Sequence, residues 1–209
     1  MTDFTDLVGG YRRFRQGDYA QQHDRWESLA TGQSPKVMVI ACSDSRVDPA
    51  QIFDVSPGEI FVVRNVANLV PPFETDGGYH GVSAALEFAV TQLEVPEIVV
   101  LGHGACGGVK AALAKSFEGA APGEGGFIAK WVGLLDEPRE RVAARYGNGP
   151  EAIRALELET VRVSLDNLRT FPFVAERVET GHLRLHGANF SIADGVLHLM
   201  NAHGEFAPA

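Results

Sequence analysis

Short, continuous apolar runs separated by stretches of helical periodicity organise this chain. Val37-Met38-Val39-Ile40-Ala41, Ile60-Phe61-Val62-Val63 and Glu97–Leu101 read as buried strands, set off by turn-forming residues such as Thr31–Pro35 and Pro57-Gly58. Between and around them the period changes. Phe4, Leu7, Val8, Tyr11 and Phe14 recur at helical spacing, giving an amphipathic helix that breaks near Gly17 and resumes to about Leu29. After the Asp76-Gly77-Gly78 turn, residues 79–94 are expected to be helical, with Val82, Leu86, Ala89, Val90 and Leu93 on one face. Residues 107–117 form a further helix and 119–126 a Gly/Pro-rich loop. Residues 127–180 are expected to be mainly helical, with breaks at Pro138, Gly147–Pro150 and Pro172. The tail alternates through Leu183, Leu185 and Phe190 and again through Val196, Leu197 and Leu199, around an Ala193-Asp194-Gly195 turn, which predicts a terminal hairpin.

Buried strands alternating with helices predict an α/β fold with a central, mainly parallel sheet flanked by helices. The chain contains no internal repeat or clear linker, so residues 1–209 are read as one domain. It comprises a helical arm (1–31), a core carrying the candidate chemistry (35–118), and a helical region with the terminal β-hairpin (127–209).

Charge narrows the function classes. With 18 Lys and Arg against 27 Asp and Glu, the net charge of −9 argues against nucleic acid or an anionic membrane as the main partner, since both select a basic face. A small anionic ligand stays compatible with a locally positive site. The apolar runs are too short to span a bilayer, and the N-terminus lacks the basic-then-apolar pattern of a secretory leader. A reducing cytoplasm is therefore expected, where two cysteines bind metal or react rather than pair.

Those two cysteines carry the candidate chemistry. Cys42 opens Cys-Ser-Asp-Ser-Arg at the end of the first predicted strand. Cys106 closes His103-Gly104-Ala105-Cys106 at the end of the third. In parallel sheets, ligands collect at the carboxyl ends of strands, so Cys42, His103 and Cys106 converge although they lie far apart in the chain. Two thiolates and one imidazole leave a fourth tetrahedral position open, which is the pattern of catalytic rather than structural zinc. Asp44 beside them can bind the metal or accept a hydrogen bond from a bound hydroxide, and Arg46 can hold it through a bidentate bridge. Gly102-His103-Gly104-Ala105-Cys106-Gly107 also spells G-x-G-x-x-G. The strand and acidic residue that a dinucleotide site needs next are replaced by helix and loop, so that reading is set aside. The P-C-x-x-C part of the zinc-deaminase signature is absent. His23, His182, His186, His198 and His203 read as ordinary histidines, and His80 sits in a Gly-rich turn.

Cys-Ser-Asp-Ser-Arg followed by His-Gly-x-Cys-Gly-Gly resembles the β-class carbonic anhydrases. The likeness continues through Pro57-Gly58-Glu59, Val63–Asn68 and Ala84–Phe88. The resemblance implies reversible hydration of CO2 to bicarbonate, one Zn2+ per subunit on Cys42, His103 and Cys106, and a catalytic pair of Asp44 and Arg46. It further implies a substrate pocket of Gln33, Phe61, Val66, Phe88 and Gly104, often completed across a dimer interface. A homodimer or homotetramer follows, with the N-terminal arm packed on a partner copy. Two departures stand out. The place of the histidine proposed as proton shuttle in plant relatives is Gln92 here, leaving His23 and His80 as candidates. Val39 and Ala41 replace the Trp and Gly of bicarbonate-regulated bacterial members, which disfavours that regulated form, while closing of Asp44 onto zinc at low pH stays open. Two alternatives also stay open: hydrolysis of a CO2 analogue such as carbonyl sulfide or carbon disulfide at the same zinc site, and a non-catalytic zinc protein.

Overall fold

The computed structural model describes residues 2–76 and 78–209; of the expected Asp76-Gly77-Gly78 turn, Gly77 lies outside the described residues. Two compact units divide the chain, Met1–Ser34 and Pro35–Ala209. The first holds α1 (Phe4–Gln16), α2 (Asp18–Gln21) and α3 (His23–Leu29). A reciprocal capping box starts α1: the Asp6 amide donates to Asp3 Oδ1 (2.9 Å) and the Asp3 amide to Asp6 Oδ2 (3.1 Å). The helix breaks at Gly17 as expected, and a second break follows at Gln22. Phe14, Tyr19 and Trp26 gather across these breaks with ring centroids 5.5–6.0 Å apart. The Phe4, Leu7 and Tyr11 stripe is exposed.

In the second unit the expected strands form as β1 (Val37–Cys42), then α4 (Pro49–Ile52), β2 (Ile60–Asn65), α5 (Gly81–Glu87) and β3 (Glu97–His103). They are followed by α6 (Gly107–Leu113), α7 (Gly126–Val132), α8 (Asp136–Tyr146), α9 (Pro150–Leu168) and α10 (Pro172–Glu179), then by β4 (Arg184–Phe190), β5 (Leu197–Met200) and β6 (Phe206–Pro208). The sheet order is β2-β1-β3-β4-β5-β6. The first four strands run parallel, and β5 and β6 turn back antiparallel. The expected terminal hairpin is present as β4–β5. Its first strand also pairs with β3, and the short edge strand β6 was not anticipated. Among the described residues no helix is long and apolar enough to cross a membrane.

Pro138 and the 79–94 segment depart from expectation. Pro138 does not break a helix: it lies in the first turn of α8, where a missing N–H costs nothing because that turn's amides have no intrahelical acceptor. The expected breaks at Gly147–Pro150 and Pro172 do occur, each proline standing at the start of the helix that follows. The expected helix over 79–94 is α5 followed by a π-turn, Phe88–Gln92, in which the Leu93 amide reaches the Phe88 carbonyl at 3.0 Å.

Met38 and Ile40 of β1, with Ile98 and Val100 of β3, are fully buried against Leu86, Val90, Leu165, Leu168, Phe171 and Val174 from α5, its π-turn, α9 and α10. Each such side chain contributes on the order of 1.5–3 kcal/mol by leaving water. On the opposite face, Val39, Ala41, Leu101 and Ala188 form a smaller cluster with Ile52 of α4. Close approach of α9 depends on two strand glycines. A Cβ on Gly102 would stand 2.8 Å from Val161 Cγ2 and 3.0 Å from Asn189 Nδ2, and one on Gly187 would stand 2.9 Å from Val161 Cγ1. Gly102→Ala is therefore expected to cost about 1–3 kcal/mol through overpacking, seen as a lowered urea midpoint. An unchanged midpoint would mean that α9 has room to retreat from the sheet.

Candidate metal centre

Register brings the candidate residues together. Cys42 is the last residue of β1 and His103 the last of β3, and the two strands pair directly up to Ala41 and Leu101. Cys106 follows three residues later, just before α6, after Ala105 takes a left-handed φ of 59° that turns the chain back toward β1. Cys42, His103 and Cys106 are all buried, and their ligand atoms lie within 4.8 Å of one another.

The two sulfurs are 3.9 Å apart, far beyond a disulfide, and both cysteines are free. Two sulfurs each about 2.3 Å from a tetrahedral zinc would be separated by roughly 3.8 Å. His103 Nδ1 lies 2.9 Å from the Gly104 carbonyl, which fixes the proton on Nδ1 because a carbonyl only accepts. In the neutral ring the lone pair is then on Nε2, a buried atom with no hydrogen-bond partner. An imidazole so oriented, with its second nitrogen unused, is the arrangement metal-ligating histidines adopt.

Electrostatics point the same way. The Cys106 thiol donates toward Cys42 and pulls the Cys42 pKa well below the ordinary thiol value, against the opposing effect of burial. Cys106 is pushed up by the same contact and by burial, so the two thiols lose their protons in separate steps. Burial disfavours the charged form of His103, but the neighbouring Cys42 sulfur outweighs it and leaves the imidazole above its usual value. A buried thiolate with a shared proton, beside an unpartnered nitrogen, suits a cation that displaces the proton. The residues fit zinc.

Asp44 lies outside that three-ligand cluster, and Arg46 grips it. Arg46 Nε donates to Asp44 Oδ1 (2.8 Å), Nη2 to Oδ2 (2.6 Å), and the Arg46 amide to Oδ1 (3.0 Å). The bidentate bridge expected of Arg46 is formed. Arg46 Nη2 also reaches the Ala105 carbonyl (3.1 Å), tying the Cys42 loop to the Cys106 loop. The guanidinium holds the Asp44 carboxyl well below the usual carboxylate range.

Arg64 acquires a role that its sequence position did not suggest. From β2 it donates to the carbonyls of Cys42 (2.9 Å), Asp44 (2.7 Å) and Val47 (3.3 Å) and to Asp48 Oδ2 (3.1 Å), so one side chain shapes the whole Cys42–Asp48 loop. A charged residue near the end of an otherwise apolar strand was the available signal. Glu157 was missed as well. It is buried on α9, and its Oε1 accepts the Cys106 amide at 3.1 Å. Burial raises its pKa, with the amides of Cys106 and Ala105 opposing.

The expected substrate residues divide into groups. Val66 follows Asn65, the register partner of Cys42. It stands against α6, where a Cβ on Gly108 would fall 2.6 Å from Val66 Cγ1. Gly104 lies beside His103, and its amide donates to the Phe190 carbonyl. Phe61 and Phe88 pair with each other, ring centroids 5.9 Å apart. Phe61, however, stands beside Met38, four residues before Cys42 in register and so about 13 Å back along the strand. Within one chain, the aromatic pair and the thiols are at opposite ends of the sheet. Gln33 is exposed in the N-terminal unit.

A parallel sheet that holds two cysteines and a histidine at its carboxyl edge, with an arginine-clamped aspartate beside them, defines a thiolate-rich metal-site enzyme of α/β class. The carbonic anhydrase family profile matches residues 37–197, and the chain belongs to the β-class carbonic anhydrases. It is 36% identical over 205 residues to β carbonic anhydrase 3 of Arabidopsis thaliana, covering 97% of this chain and 79% of that one. The solved structure of the β-carbonic anhydrase CcaA superposes with a TM-score of 0.89 at 32% identity, covering 98% of this chain and 91% of the other. The tetrameric β-carbonic anhydrases of the filamentous ascomycete Sordaria macrospora provide a further match, with a TM-score of 0.81 and 27% identity over 95% of this chain and 97% of that one.

The Asp44–Arg46 pair carries a pH signature. Because the folded-state pKa is depressed, its stabilisation is fully present above about pH 4 and is lost as pH falls through the lower folded value. The stability gap between native protein and Asp44→Asn, measured by urea midpoints, is expected to stay constant at neutral pH and shrink in acid. A gap that widened on acidification would contradict the clamp.

Proposed function

We propose that this protein catalyses the zinc-dependent, reversible hydration of CO2 to bicarbonate and a proton. The observation that carries the reading is the buried Cys42-His103-Cys106 cluster with an arginine-held carboxylate at its side. Cys42, His103 and Cys106 would hold the Zn2+, which when bound lowers the pKa of water from about 16 toward 7. Two thiolates neutralise the metal's formal charge, so this acidification is weaker than with three imidazoles. The surrounding chain has to compensate.

Arg46 restores positive potential beside the thiolates and keeps Asp44 ionised at every pH of interest. Asp44 Oδ1 accepts two bonds from Arg46, whereas Oδ2 accepts one and retains a lone pair, so the carboxylate can accept a hydrogen bond from the attacking water and aim that oxygen at the CO2 carbon. Fixing this direction in advance is where most of the catalytic gain resides. The atoms balance: one water oxygen bonds to carbon, one of its protons leaves, and bicarbonate remains.

Val66 and Gly104 stand next to the ligand residues and suit a small apolar substrate. The aromatic pair Phe61 and Phe88, which one chain keeps away from its own thiols, together with Gln33, would serve the site through a partner copy. A homodimer or homotetramer is the assembly we infer, and the tetrameric Sordaria relatives support it. Two unpaired thiols suit a reducing cytoplasm, to which we assign the protein.

Asp44→Asn is expected to retain about one zinc per chain yet lose at least about a hundredfold in turnover by stopped-flow CO2 hydration. Cys42→Ser should lose the metal itself. Full zinc and full activity in Cys42→Ser would overturn the scheme, and sulfide release from carbonyl sulfide in preference to CO2 hydration would replace the substrate. Since Asp44 is ionised throughout, the pH dependence belongs to the weakly acidified water. Activity should rise through about pH 7–9; a flat profile down to pH 6 would contradict the charge argument.

A further inference from the structure

We propose that Glu157 is a positioning residue for the metal centre, holding the Ala105–Cys106 loop by its backbone so that the Cys106 sulfur stays against Cys42. The inference rests on the zinc reading above and adds a residue on a different element, far along the chain from all three ligands.

Glu157 lies on α9. Along one face of this 19-residue helix, Glu157, Thr160, Ser164 and Asn167 follow one another at intervals of three and four residues, a polar stripe within an otherwise apolar buried surface. Each bonds to loop residues outside the helix. Thr160 Oγ1 accepts from Asn68 Nδ2 (3.1 Å), Ser164 Oγ donates to the Asn68 carbonyl (2.9 Å), and Asn167 Nδ2 donates to the Val70 carbonyl (2.8 Å). Together they brace the segment after β2, where Ala67 and Asn68 take left-handed φ values of 63° and 49°. Glu157 is the end of the stripe that meets the metal loop, accepting the Cys106 amide at 3.1 Å.

That amide needs an acceptor. Cys106 immediately precedes α6, so its N–H lies outside the helix ladder, and the residue is buried. Ala105, just before it, holds a left-handed φ that a residue with a Cβ adopts only when its surroundings enforce it. The enforcement comes from two sides: Arg46 takes the Ala105 carbonyl at 3.1 Å, and Glu157 takes the Cys106 amide. The whole residue Glu157 is only 4% exposed, and a carboxyl is costly to bury without a partner. The loop amide is what its position on this helix provides.

Two conservative variants separate reach from charge. Glu157→Gln keeps the length and an acceptor oxygen but removes the charge; Glu157→Asp keeps the charge but falls short by one methylene. Zinc release from the purified holoenzyme to an excess of chelator is the readout, with the visible spectrum of the Co2+-substituted protein as a second. Outer-shell partners of metal ligands typically govern affinity by 10–100-fold, so Glu157→Asp should release zinc at least about tenfold faster and shift the cobalt spectrum, while Glu157→Gln stays within about threefold of native. Leu168→Ala, a buried truncation further along the same helix, should leave release and spectrum native if the effect is specific to the loop. A native rate and spectrum in Glu157→Asp, equal acceleration by Gln and Asp, or comparable acceleration by Leu168→Ala would each overturn the proposal. Native protein that binds no zinc would instead overturn the functional reading on which it stands.

Discussion

The constraint on which the rest depends is the enclosure of two sulfurs and an imidazole nitrogen at the end of a parallel sheet. Two thiols 3.9 Å apart at Cys42 and Cys106, with a buried His103 nitrogen that has no hydrogen-bond partner close by, are a costly arrangement for a protein interior unless a cation completes it. Much of the local architecture keeps those three atoms close. Parallel pairing of β1 with β3 brings the two strand ends together, Arg64 shapes the loop leaving β1, and the left-handed turn at Ala105 returns the chain after β3. The Asp44–Arg46 clamp uses the same geometry. By reaching the Ala105 carbonyl, Arg46 links the orientation of the Asp44 carboxylate to the position of the Ala105–Cys106 loop.

Helix α9 connects this local chemistry to the core. Gly102 and Gly187 let it lie against β3 and β4, and that proximity puts its polar stripe within reach of both the Ala105–Cys106 loop and the segment after β2. Close approach of helix to sheet and a correctly placed ligand loop are thus two outcomes of one packing arrangement. Strain at Ala67, Asn68 and Ala105 is concentrated around the site and offset by hydrogen bonds from α9, Arg46 and Asn65, whose amide exchanges two bonds with the Leu69 backbone.

Much of this was legible in the sequence, for identifiable reasons. Val37–Ala41 and Ile98–Leu101 are apolar on consecutive residues, as strands covered on both faces require, whereas Ile60–Val63 has the same pattern but forms the edge strand β2, half-buried with Val62 exposed; parallel order follows from the helices between them. Cys42 and His103 then fall at strand ends by the apolar pattern alone. Pro138 misled because a proline breaks a helix interior but not its first turn, and the residue alone does not reveal which applies. The π-turn after α5 has the same apolar spacing as an α-helix and cannot be distinguished from it by periodicity. Phe61 and Phe88 were grouped with the ligands by resemblance, whereas strand register puts Phe61 near the other end of β2, a fact that depends on pairing. Glu157 was hidden for a different reason. An acidic residue in a helix rich in Glu and Arg reads as a solvated face, and only the packing of α9 reveals that this one points inward.

The most direct test of the account is X-ray absorption at the zinc edge of the purified native protein. Two sulfurs at about 2.3 Å and one imidazole nitrogen at about 2.0–2.1 Å, with a light-atom fourth ligand, is the predicted shell. Absence of zinc, or a shell with a sulfur count other than two, would contradict the assignment of Cys42, His103 and Cys106 as the centre on which this structure is organised.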